Sequence, residues 1–409
     1  MVIGAGLGGL ASGRPAMAQV EADATVPLET TARPVWRRHV IDATSHGADG
    51  VKFTDVNRDG RPDVVTGWEE GGVVRLYLHP GDSRAREPWP RAQVGAVPSP
   101  EDALAVDLDG DGRFEIVSAT EGKDRTLYVH TAESADLLGP WRTAAFPATA
   151  GQGMWMFVAP VQLDGRHGVD LVVASKNQGA TVGWLEAPAQ PRDLAAWRHH
   201  VLRTAGWIMS AIPADLDGDG DADILFSDRK GERRGIGWLE NPGPARAADA
   251  TAWREHAVGA AGEEVMFIDH ADLDGDGGKE IVAAVQPRRI AIFRGSPTGG
   301  WRVQWLTLTG EIGTMKAVSV ADLDGDGRRD LVVSCENAKG ALRGMLWLQR
   351  GERGWRLHDL GGEAGTKFDL VPVLDLNGDG RPDVATTEEV DRLGVVWYEN
   401  PGPTGLRGP

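Results

Sequence analysis

Six segments of the chain concentrate carboxylate and carboxamide side chains at a fixed spacing around glycines. In the last but one, DLDGDGRRD from Asp322, side-chain oxygens stand at positions 1, 3, 5 and 9, and Arg328 at position 7 offers a main-chain carbonyl. Carboxylates this close repel one another until a divalent cation neutralises them, and hard oxygen ligands at this density suit Ca²⁺. Glycine at position 6 allows the sharp turn that points these oxygens inward. The pattern therefore predicts calcium sites.

The predicted calcium ligands occupy positions 1, 3, 5 and 9 of the six loops. They are Asp55, Asn57, Asp59 and Asp63; Asp107, Asp109, Asp111 and Glu115; Asp215, Asp217, Asp219 and Asp223; Asp272, Asp274, Asp276 and Glu280; Asp322, Asp324, Asp326 and Asp330; and Asp375, Asn377, Asp379 and Asp383. An EF-hand would need a glutamate at position 12 and a helix on each side. Position 12 is Thr, Ser, Phe, Ala or Val here, and strand-like runs flank the loops, so the EF-hand interpretation fails.

A further segment, QLDGRHGVD from Gln162, aligns with the six loops but lacks two of their carboxylates. Gln162 replaces the aspartate at position 1, and Arg166 replaces the one at position 5. We expect this third loop (162–170) to bind no calcium, with the Arg166 guanidinium standing in for the cation.

Aligned on these loops, the chain repeats one unit seven times at intervals of 50 to 57 residues. Each unit has an apolar run before the loop, a β-rich run after it, a run such as IGWLENP, and a run that opens with tryptophan. Four short strands with Gly, Pro and Asn turns in about fifty residues are typical of one propeller blade. We therefore predict an all-β, seven-bladed β-propeller of four-stranded antiparallel blades. A strand at Trp36 precedes the first loop, and we expect it to complete the last blade and close the ring.

The pattern D-x-D/N-x-D-G-x-x-D/E on a strand–loop–strand unit resembles the FG-GAP/VCBS-type repeat of integrin-α-like propellers. The resemblance covers nearly all of the expected mature chain, which begins at about Gln19. It implies a seven-bladed propeller with calcium in the loops between the first and second strands of each blade. The family includes adhesion receptors, lectin-like proteins and enzyme accessory domains, so the resemblance does not settle the function.

The composition restricts both the partners and the location of the protein. The formal net charge is −17, which gives no basic surface for nucleic acid or an anionic membrane. Cys335 is the only cysteine, so no disulfide forms within the chain, and we expect no membrane span. The N-terminus has a weakly apolar stretch that ends in Ala-Met-Ala, a cleavage pattern of signal peptides. We expect an exported protein, periplasmic or extracellular, with a signal peptide (1–18), a linker (19–34), the propeller (35–403) and a tail (404–409).

Tryptophan and histidine recur with the repeat, which favours a structural role for both. The tryptophans that open the fourth runs are expected to pack between neighbouring blades; they are Trp36, Trp89, Trp141, Trp197, Trp253, Trp301 and Trp355. Four histidines each follow such a tryptophan by three residues, and we expect them to make structural contacts; they are His39, His200, His256 and His358.

A ligand site is expected at the mouth of the channel opposite the calcium loops. There, the connections between second and third strands and those between blades differ from unit to unit, so the framework does not explain their residues. The candidate ligand-binding residues are Glu69, Glu70, Trp155, Lys176, Asn177, Trp207, Asp228, Lys230, Glu264, Glu336, Asn337 and Glu388. Concave polar mouths with a few aromatic side chains are common ligand sites. The alternative is that these residues are polar only because turns are solvated.

Three functions fit this architecture. The first is an exported calcium-binding propeller with a small-molecule or polysaccharide ligand, or other extracellular proteins, as partner; sugars suit such a mouth. The second is a carbohydrate-active enzyme, a lyase or dehydratase, with candidate catalytic residues His46, Lys52, Arg229, Lys316 and Lys367. The third is a purely structural assembly or surface protein. The sequence has no G-x-S-x-G, no H-E-x-x-H and no Cys/His metal set, which favours binding over catalysis.

Overall fold

The structure is a computed structural model that describes residues 19–29, 35–296 and 299–402. The predicted signal peptide and tail, and residues 30–34 of the predicted linker, lie outside the described residues. Seven four-stranded antiparallel sheets follow one another along the described chain, and we name them blades 1 to 7 in the order of their acidic loops. This is the predicted all-β, seven-bladed propeller.

Each blade is a meander whose strands run from the first, on the channel side, to the fourth, at the outer edge. The strands of blades 1 to 4 are Ala48–Thr54, Asp63–Trp68, Val73–Tyr77 and Arg91–Ala96; Pro100–Val106, Glu115–Thr120, Leu127–Ala132 and Trp141–Ala145; Met154–Val161, Asp170–Lys176, Thr181–Glu186 and Arg198–Thr204; Ile208–Ala214, Asp223–Asp228, Gly235–Glu240 and Arg254–Gly259. Those of blades 5 to 7 are Val265–Ala271, Glu280–Val285, Arg289–Ser296 and Gly300–Thr309; Thr314–Ala321, Asp330–Glu336, Met345–Gly351 and Gly354–Asp359; Val373–Leu374, Asp383–Glu388, Gly394–Glu399 and Arg37–Asp42. Short 3₁₀ turns lie in the connections at Asp82–Arg84, Pro147–Thr149 and Leu194–Ala196.

The segment before the first blade contributes to two sheets. Arg37–Asp42 pairs antiparallel with Gly394–Glu399 as the fourth strand of blade 7. Part of the predicted linker is also ordered into strands, because Gln19–Val20 and Ala24–Pro27 both pair parallel with Gly300–Thr309 of blade 5. Among the described residues, no helix is long and apolar enough to cross a membrane.

Bulges interrupt the first strands of blades 1 to 6 close to the end where the strand enters from the preceding blade. In blade 2 the register shifts between Pro100 and Asp102, and in blade 6 it shifts between Met315 and Ala317. A bulge turns a side chain away from the regular alternation of the strand. The residues inside these two bulges are therefore redirected, and both are charged: Glu101 and Lys316.

Recurring tryptophans make contacts between neighbouring blades, and recurring histidines make contacts within a blade. Trp36 contacts Trp347 of blade 6 at a ring-centre distance of 6.2 Å, and Trp197 contacts Phe146 of blade 2 at 5.2 Å. His256 stacks on Trp238 at 4.4 Å and its Nε2 lies 2.6 Å from Glu240 Oε2. The same arrangement of imidazole, indole and polar side chain recurs around His39, His200 and His358. These contacts agree with the structural role expected for the four histidines.

Candidate functional site

The acidic loops connect the first and second strands of their blades and close on themselves through main-chain hydrogen bonds. In blade 6, Asp322 accepts the N–H groups of Gly325 and Gly327 at 2.8 and 2.9 Å. Asp324 accepts from the N–H of Asp326 at 3.1 Å. These main-chain bonds fix the carboxylates at positions 1 and 3 within the loop.

The donor sets of the loops fit a divalent cation. In blades 2, 4 and 5, three carboxylates each place one oxygen within 4.8 Å of the others. These sets are Asp107, Asp109 and Glu115; Asp215, Asp217 and Asp223; and Asp272, Asp274 and Asp276. Such convergence of oxygen ligands suits Ca²⁺, which takes six to eight oxygens.

The carboxylate at position 9 has a structural role that the sequence did not reveal. In all seven loops it is buried and accepts the main-chain N–H of position 2. In blade 7, Asp383 accepts from Leu376 at 3.0 Å through one oxygen and from Asn400, after the third strand, at 2.8 Å through the other. Burial raises the pKa of Asp383 to about 7. This side chain therefore ties the loop to the neighbouring strand, whether or not it also binds an ion.

The third loop is filled by its own glutamine. Gln162 Nε2 donates to the carbonyls of Arg166 at 2.9 Å and Gly168 at 2.7 Å, and Gln162 Oε1 accepts from Gly165 N–H at 2.9 Å. The carbonyl of Gly168 is the position-7 group that would otherwise face a cation. The Arg166 side chain is 56% exposed, and its Nε lies 3.9 Å from Asp164. The expected substitution of the cation by Arg166 is thus wrong, since the amide of Gln162 occupies the loop instead.

On the opposite face, three carboxylates meet at the channel mouth. Asp49 comes from the first strand of blade 1, and Asp369 and Glu389 come from connections in blade 7. One oxygen of each lies within 4.8 Å of the others, and the three residues are 2 to 9% exposed. Burial and the charge of Asp369 raise the pKa of Asp49 well above its ordinary value. Burial alone would also raise the pKa of Asp369, but Lys316 and a hydrogen bond from Asp49 lower it. Asp49 is therefore the carboxylic acid of the pair, and Asp369 is the carboxylate.

Two lysines lie beside these carboxylates and offset their charge. Lys367 Nζ contacts Glu389 Oε2 directly. Lys316 is 7% exposed, and its Nζ lies 3.9 Å from Glu336 Oε2. Burial alone would lower the pKa of Lys316, but the charges of Asp369 and Glu389 raise it. Both lysines are thus ammonium ions beside the carboxylates.

A second charged group joins blades 2, 3 and 4. Lys176 Nζ lies 2.7 Å from Glu101 Oε1 and also contacts Glu121. The Trp207 ring is surrounded by cations, with Lys176 Nζ at 4.9 Å, Arg229 Cζ at 5.0 Å and Lys230 Nζ at 4.5 Å from its centre. The indole ring is therefore in cation–π contact with these side chains and is not an unoccupied aromatic surface.

Arg229 links this group to blades 5 and 6. Arg229 Nε lies 2.6 Å from Glu264 Oε1, and its Nη2 lies 3.7 Å from Glu336 Oε1. Gln286 Nε2 donates to the same oxygen of Glu336 at 2.5 Å. With Asp49 also near Glu69 and Glu101, the contacts pass through all seven blades. We call the charged side chains of these contacts the mouth ring. They are Asp49, Glu69, Glu101, Glu121, Lys176, Arg229, Glu264, Lys316, Glu336, Lys367, Asp369 and Glu389.

Deeper in the channel the lining becomes apolar. Lys52 Nζ donates to Asp102 Oδ2 at 2.6 Å and to the Val158 carbonyl at 2.9 Å. Toward the acidic loops lies a cavity of about 560 Å³, lined mainly by apolar residues such as Phe53, Leu104, Phe157, Ile212 and Val373. Among the described residues that line the channel, the ionisable side chains are therefore concentrated at the mouth opposite the acidic loops.

Three residues expected at the ligand site serve the framework instead. Trp155 is fully buried between blades 2 and 3, where its Nε1 donates to the Arg125 carbonyl at 3.1 Å. Asp228 accepts from the N–H of Trp207 at 2.9 Å and pairs with buried Arg203 at 2.7 Å. Glu388 is 1% exposed and accepts five main-chain N–H groups of the neighbouring connections. Asp228 and Glu388, which end the second strands of their blades, thus hold neighbouring loops in place through hydrogen bonds.

The remaining candidates divide between the ring and its margin. The structure brings together Glu69, Lys176, Trp207, Arg229, Glu264, Lys316, Glu336 and Lys367. Exposed at the margin are His46, Glu70, Asn177, Lys230 and Asn337. His46 contributes its main-chain carbonyl to Gly71 N–H, and its side chain is outside the mouth ring.

Sequence reasoning missed five members of the ring, Asp49, Glu101, Glu121, Asp369 and Glu389. It also missed Gln286, which donates to Glu336, and Asp102, which pairs with Lys52 deeper in the channel. Asp49, Glu101 and Asp102 lie in otherwise apolar first strands, and Asp369 lies just before one. A charged residue in such a strand, at a position where the other blades have apolar residues, is the signal that could have identified them.

Comparison with known proteins agrees with this architecture. The family model described as FG-GAP-like repeat matches residues 55–118, 162–226 and 272–333. No curated protein sequence gives a significant match. Among solved structures, BBS1N in complex with ARL6DN has 11% identity and a TM-score of 0.54, over 90% of this chain and 98% of that chain.

Two other solved structures have lower TM-scores. An Agrocybe aegerita lectin that recognises non-reducing terminal N-acetylglucosamine has 16% identity and a TM-score of 0.47, over 78% of this chain and 81% of that chain. A putative gluconolactonase has 11% identity and a TM-score of 0.43, over 91% and 94%. At these identities the similarity concerns the fold alone. The chain thus contains three segments that match the FG-GAP-like repeat, within a seven-bladed β-propeller of four-stranded blades.

Proposed function

We propose that this protein is an exported, calcium-binding β-propeller that binds a carbohydrate at the mouth ring. The observation that carries the proposal is the ring itself, in which all seven blades direct charged or polar side chains to one end of the channel. A framework alone would not place Asp49, Lys176 and Lys316 there, since each is at least nine-tenths buried and none is repeated in the other blades. Ionisable side chains are rarely buried without a functional or structural partner.

The chemistry of the mouth ring suits a polyhydroxylated ligand. A sugar hydroxyl both donates and accepts hydrogen bonds, so it needs acceptors and donors at close range. The mouth ring offers carboxylates such as Asp369 and Glu389 next to ammonium groups such as Lys316. Trp207 adds an indole N–H that has no hydrogen-bond partner among the described residues.

Calcium at the acidic loops would stabilise the scaffold that holds this mouth. Six loops retain the complete oxygen pattern, and six Ca²⁺ ions would reduce the formal net charge of −17 to about −5.

The binding function is tested by isothermal titration calorimetry with a panel of mono- and oligosaccharides in calcium-containing buffer. We expect saturable binding that is lost in Glu101→Gln and retained in Glu133→Gln, an exposed glutamate on the opposite side of blade 2. Binding unaffected by Glu101→Gln would place the ligand elsewhere. Turnover of a sugar by the protein would show that it is an enzyme and not only a binding protein.

The second candidate function is that of a carbohydrate lyase or dehydratase, and the pairing of Asp49 with Asp369 favours it. A carboxylate base would take the proton α to a carboxyl or carbonyl group, and Lys316 and Lys367 would stabilise the enolate. Asp49 would then protonate the leaving oxygen as the C–O bond breaks and a C=C bond forms. Ultraviolet absorbance of an unsaturated product, abolished in Asp49→Asn and Asp369→Asn, would support this reaction; no product from uronate or ketosugar substrates would exclude it.

A further inference from the structure

Lys316 differs from the other lysines of the channel in how its ammonium group is paired. Lys52 lies 2.6 Å from Asp102, Lys176 lies 2.7 Å from Glu101, and Lys367 is in direct contact with Glu389. By contrast, Lys316 Nζ makes no hydrogen bond to any described residue, and Glu336 Oε2 is 3.9 Å away. A distance of 3.9 Å exceeds that of a hydrogen bond.

Each carboxylate around Lys316 has one oxygen engaged by another group and none within hydrogen-bond distance of Lys316 Nζ. The other oxygens of two of them, Asp369 Oδ1 and Glu389 Oε1, are buried and have no hydrogen-bond partner among the described residues. Glu336 Oε1 accepts from Gln286 at 2.5 Å, and Asp369 Oδ2 accepts from Gly50 N–H at 3.0 Å. Glu389 is held by Lys367. An ammonium group has three donors, and burying it without acceptors is unfavourable. Lys316 is therefore the cation of the mouth ring best able to bind an acceptor supplied by a ligand.

The backbone fixes the direction of this side chain. Lys316 is the extra residue in the bulge between Met315 and Ala317, each of which pairs across to blade 6's second strand. Met315 and Ala317 are 0 and 1% exposed, while the Lys316 side chain is 9% exposed. The bulge thus turns the ammonium toward the mouth and holds it on a rigid element.

From this geometry we infer that the carbohydrate is an acidic sugar, a uronate, whose carboxylate binds Lys316. The inference rests on the proposed carbohydrate-binding function and names the ligand class. A single ammonium beside the carboxylate of Glu336 matches the single charge of a uronate better than the higher charge of a phosphate ester. The hydroxyls of the same sugar then reach Asp369 and Glu389.

The test compares D-glucuronate, D-galacturonate, D-glucose, D-galactose and D-glucose 6-phosphate by isothermal titration calorimetry with the full protein in calcium. We expect a uronate to bind at least about tenfold more tightly than its neutral sugar, the size of effect of one charge-assisted contact. Lys316→Met should abolish this difference and Lys316→Arg should keep it. The matched control, Lys339→Met, removes an exposed cation of blade 6 that has no part in the mouth ring and should leave the difference unchanged.

Each outcome separates the inference from the function on which it rests. Neutral sugars that bind as tightly as uronates would overturn the inference and leave carbohydrate binding in place. A preference for the 6-phosphate over the uronates would overturn it equally, as would a Lys316→Met protein that folds and keeps the uronate preference. If no sugar in the panel binds to the unmodified protein, both the inference and the proposed function are wrong.

Discussion

The side-chain amide nitrogen of Gln162 lies 2.7 Å from the main-chain carbonyl oxygen of Gly168 inside the third acidic loop. In the other loops the equivalent carbonyl is the position-7 group that would face a calcium ion. An uncharged amide supplies two hydrogen-bond donors there and leaves no room for a ligand set. The loop keeps its shape through this amide.

The first prediction concerns restoration of a calcium site in that loop. Gln162→Asp combined with Arg166→Asp recreates the D-x-D-x-D pattern, so the bound calcium, measured by equilibrium dialysis and elemental analysis, should rise by one ion per chain. Arg166→Asp alone should bind no additional ion, because the amide of Gln162 still occupies the loop. An extra ion in this single variant would show that Arg166 was the obstacle.

The second prediction concerns removal of calcium from the six complete loops. Calcium that binds the folded loops and not the unfolded chain stabilises the fold by about 2.7 kcal/mol per site at a hundredfold excess over the dissociation constant. Excess EDTA should therefore lower the melting temperature markedly, and added Ca²⁺ should restore it. Mg²⁺ at the same concentration serves as the control, since its stricter octahedral geometry suits these loops less well. An unchanged melting temperature in EDTA would refute the calcium assignment.

The third prediction concerns Asp170, the position-9 carboxylate of the third loop, which lacks the calcium pattern. Asp170 accepts main-chain N–H groups from Leu163 and Ala187, each at 2.9 Å, and is fully buried. Asp170→Ala leaves both donors unsatisfied, so we expect a loss of about 2–4 kcal/mol in the free energy of unfolding. Asp164→Ala, at position 3 of the same loop, is the control and should cost less. Equal losses would show that position 9 has no special bracing role.

The repeated parts of the molecule were predictable from sequence, and the unrepeated parts were not. The acidic loop, the alternating strands and the tryptophan after each third strand recur in every unit, so their local chemistry alone predicted the blades. Asp49 and Asp369 are distant in the chain, and only closure of the ring brings them together. Trp155 and Glu388 were expected at the ligand site but contact the main chain instead. A side chain at the end of a strand can turn either to the mouth or to the neighbouring backbone, and the sequence does not distinguish the two.

The fourth prediction concerns this pair of carboxyl groups. The pKa of Asp49 is raised in the folded protein, so its stability contribution is present at low pH and is lost as the pH rises through that pKa. Asp49→Asn copies the protonated form, so it should match or exceed the unmodified protein in stability near neutral pH, with the gain shrinking toward about pH 4.

Asp369→Asn should behave in the opposite way. The pKa of Asp369 is lowered, so its contribution is present above the ordinary pKa and is lost on acidification. Removing this carboxylate leaves Lys316 and Lys367 less well compensated, and we expect a loss of about 3 kcal/mol near neutral pH. Urea denaturation of both variants at several pH values measures the two trends. Two variants with the same pH trend would contradict the assignment of the proton to Asp49.

The fifth prediction concerns the pH dependence of uronate binding. Burial raises the pKa of Glu389 to about 7, against the opposing charges of Lys316 and Lys367. The groups that face Glu389 are these two lysines with Asp369 and Asp49. As the pH falls through about 7, Glu389 takes up a proton and the mouth ring becomes more positive. The affinity for a uronate, which stays ionised, should therefore rise by up to about tenfold per pH unit between about pH 8 and pH 6.

Glu389→Gln provides the control for this pH dependence, because glutamine resembles the protonated glutamic acid in shape and charge. We expect this variant to bind the uronate at about pH 8 as tightly as the unmodified protein does at about pH 6, with most of the pH dependence removed. Glu352→Gln, an exposed glutamate in the turn after the third strand of blade 6, should retain it. Uronate affinity that falls on acidification in the unmodified protein would contradict the role given to Glu389, since protonating a carboxyl group beside Lys316 can only favour an added anion.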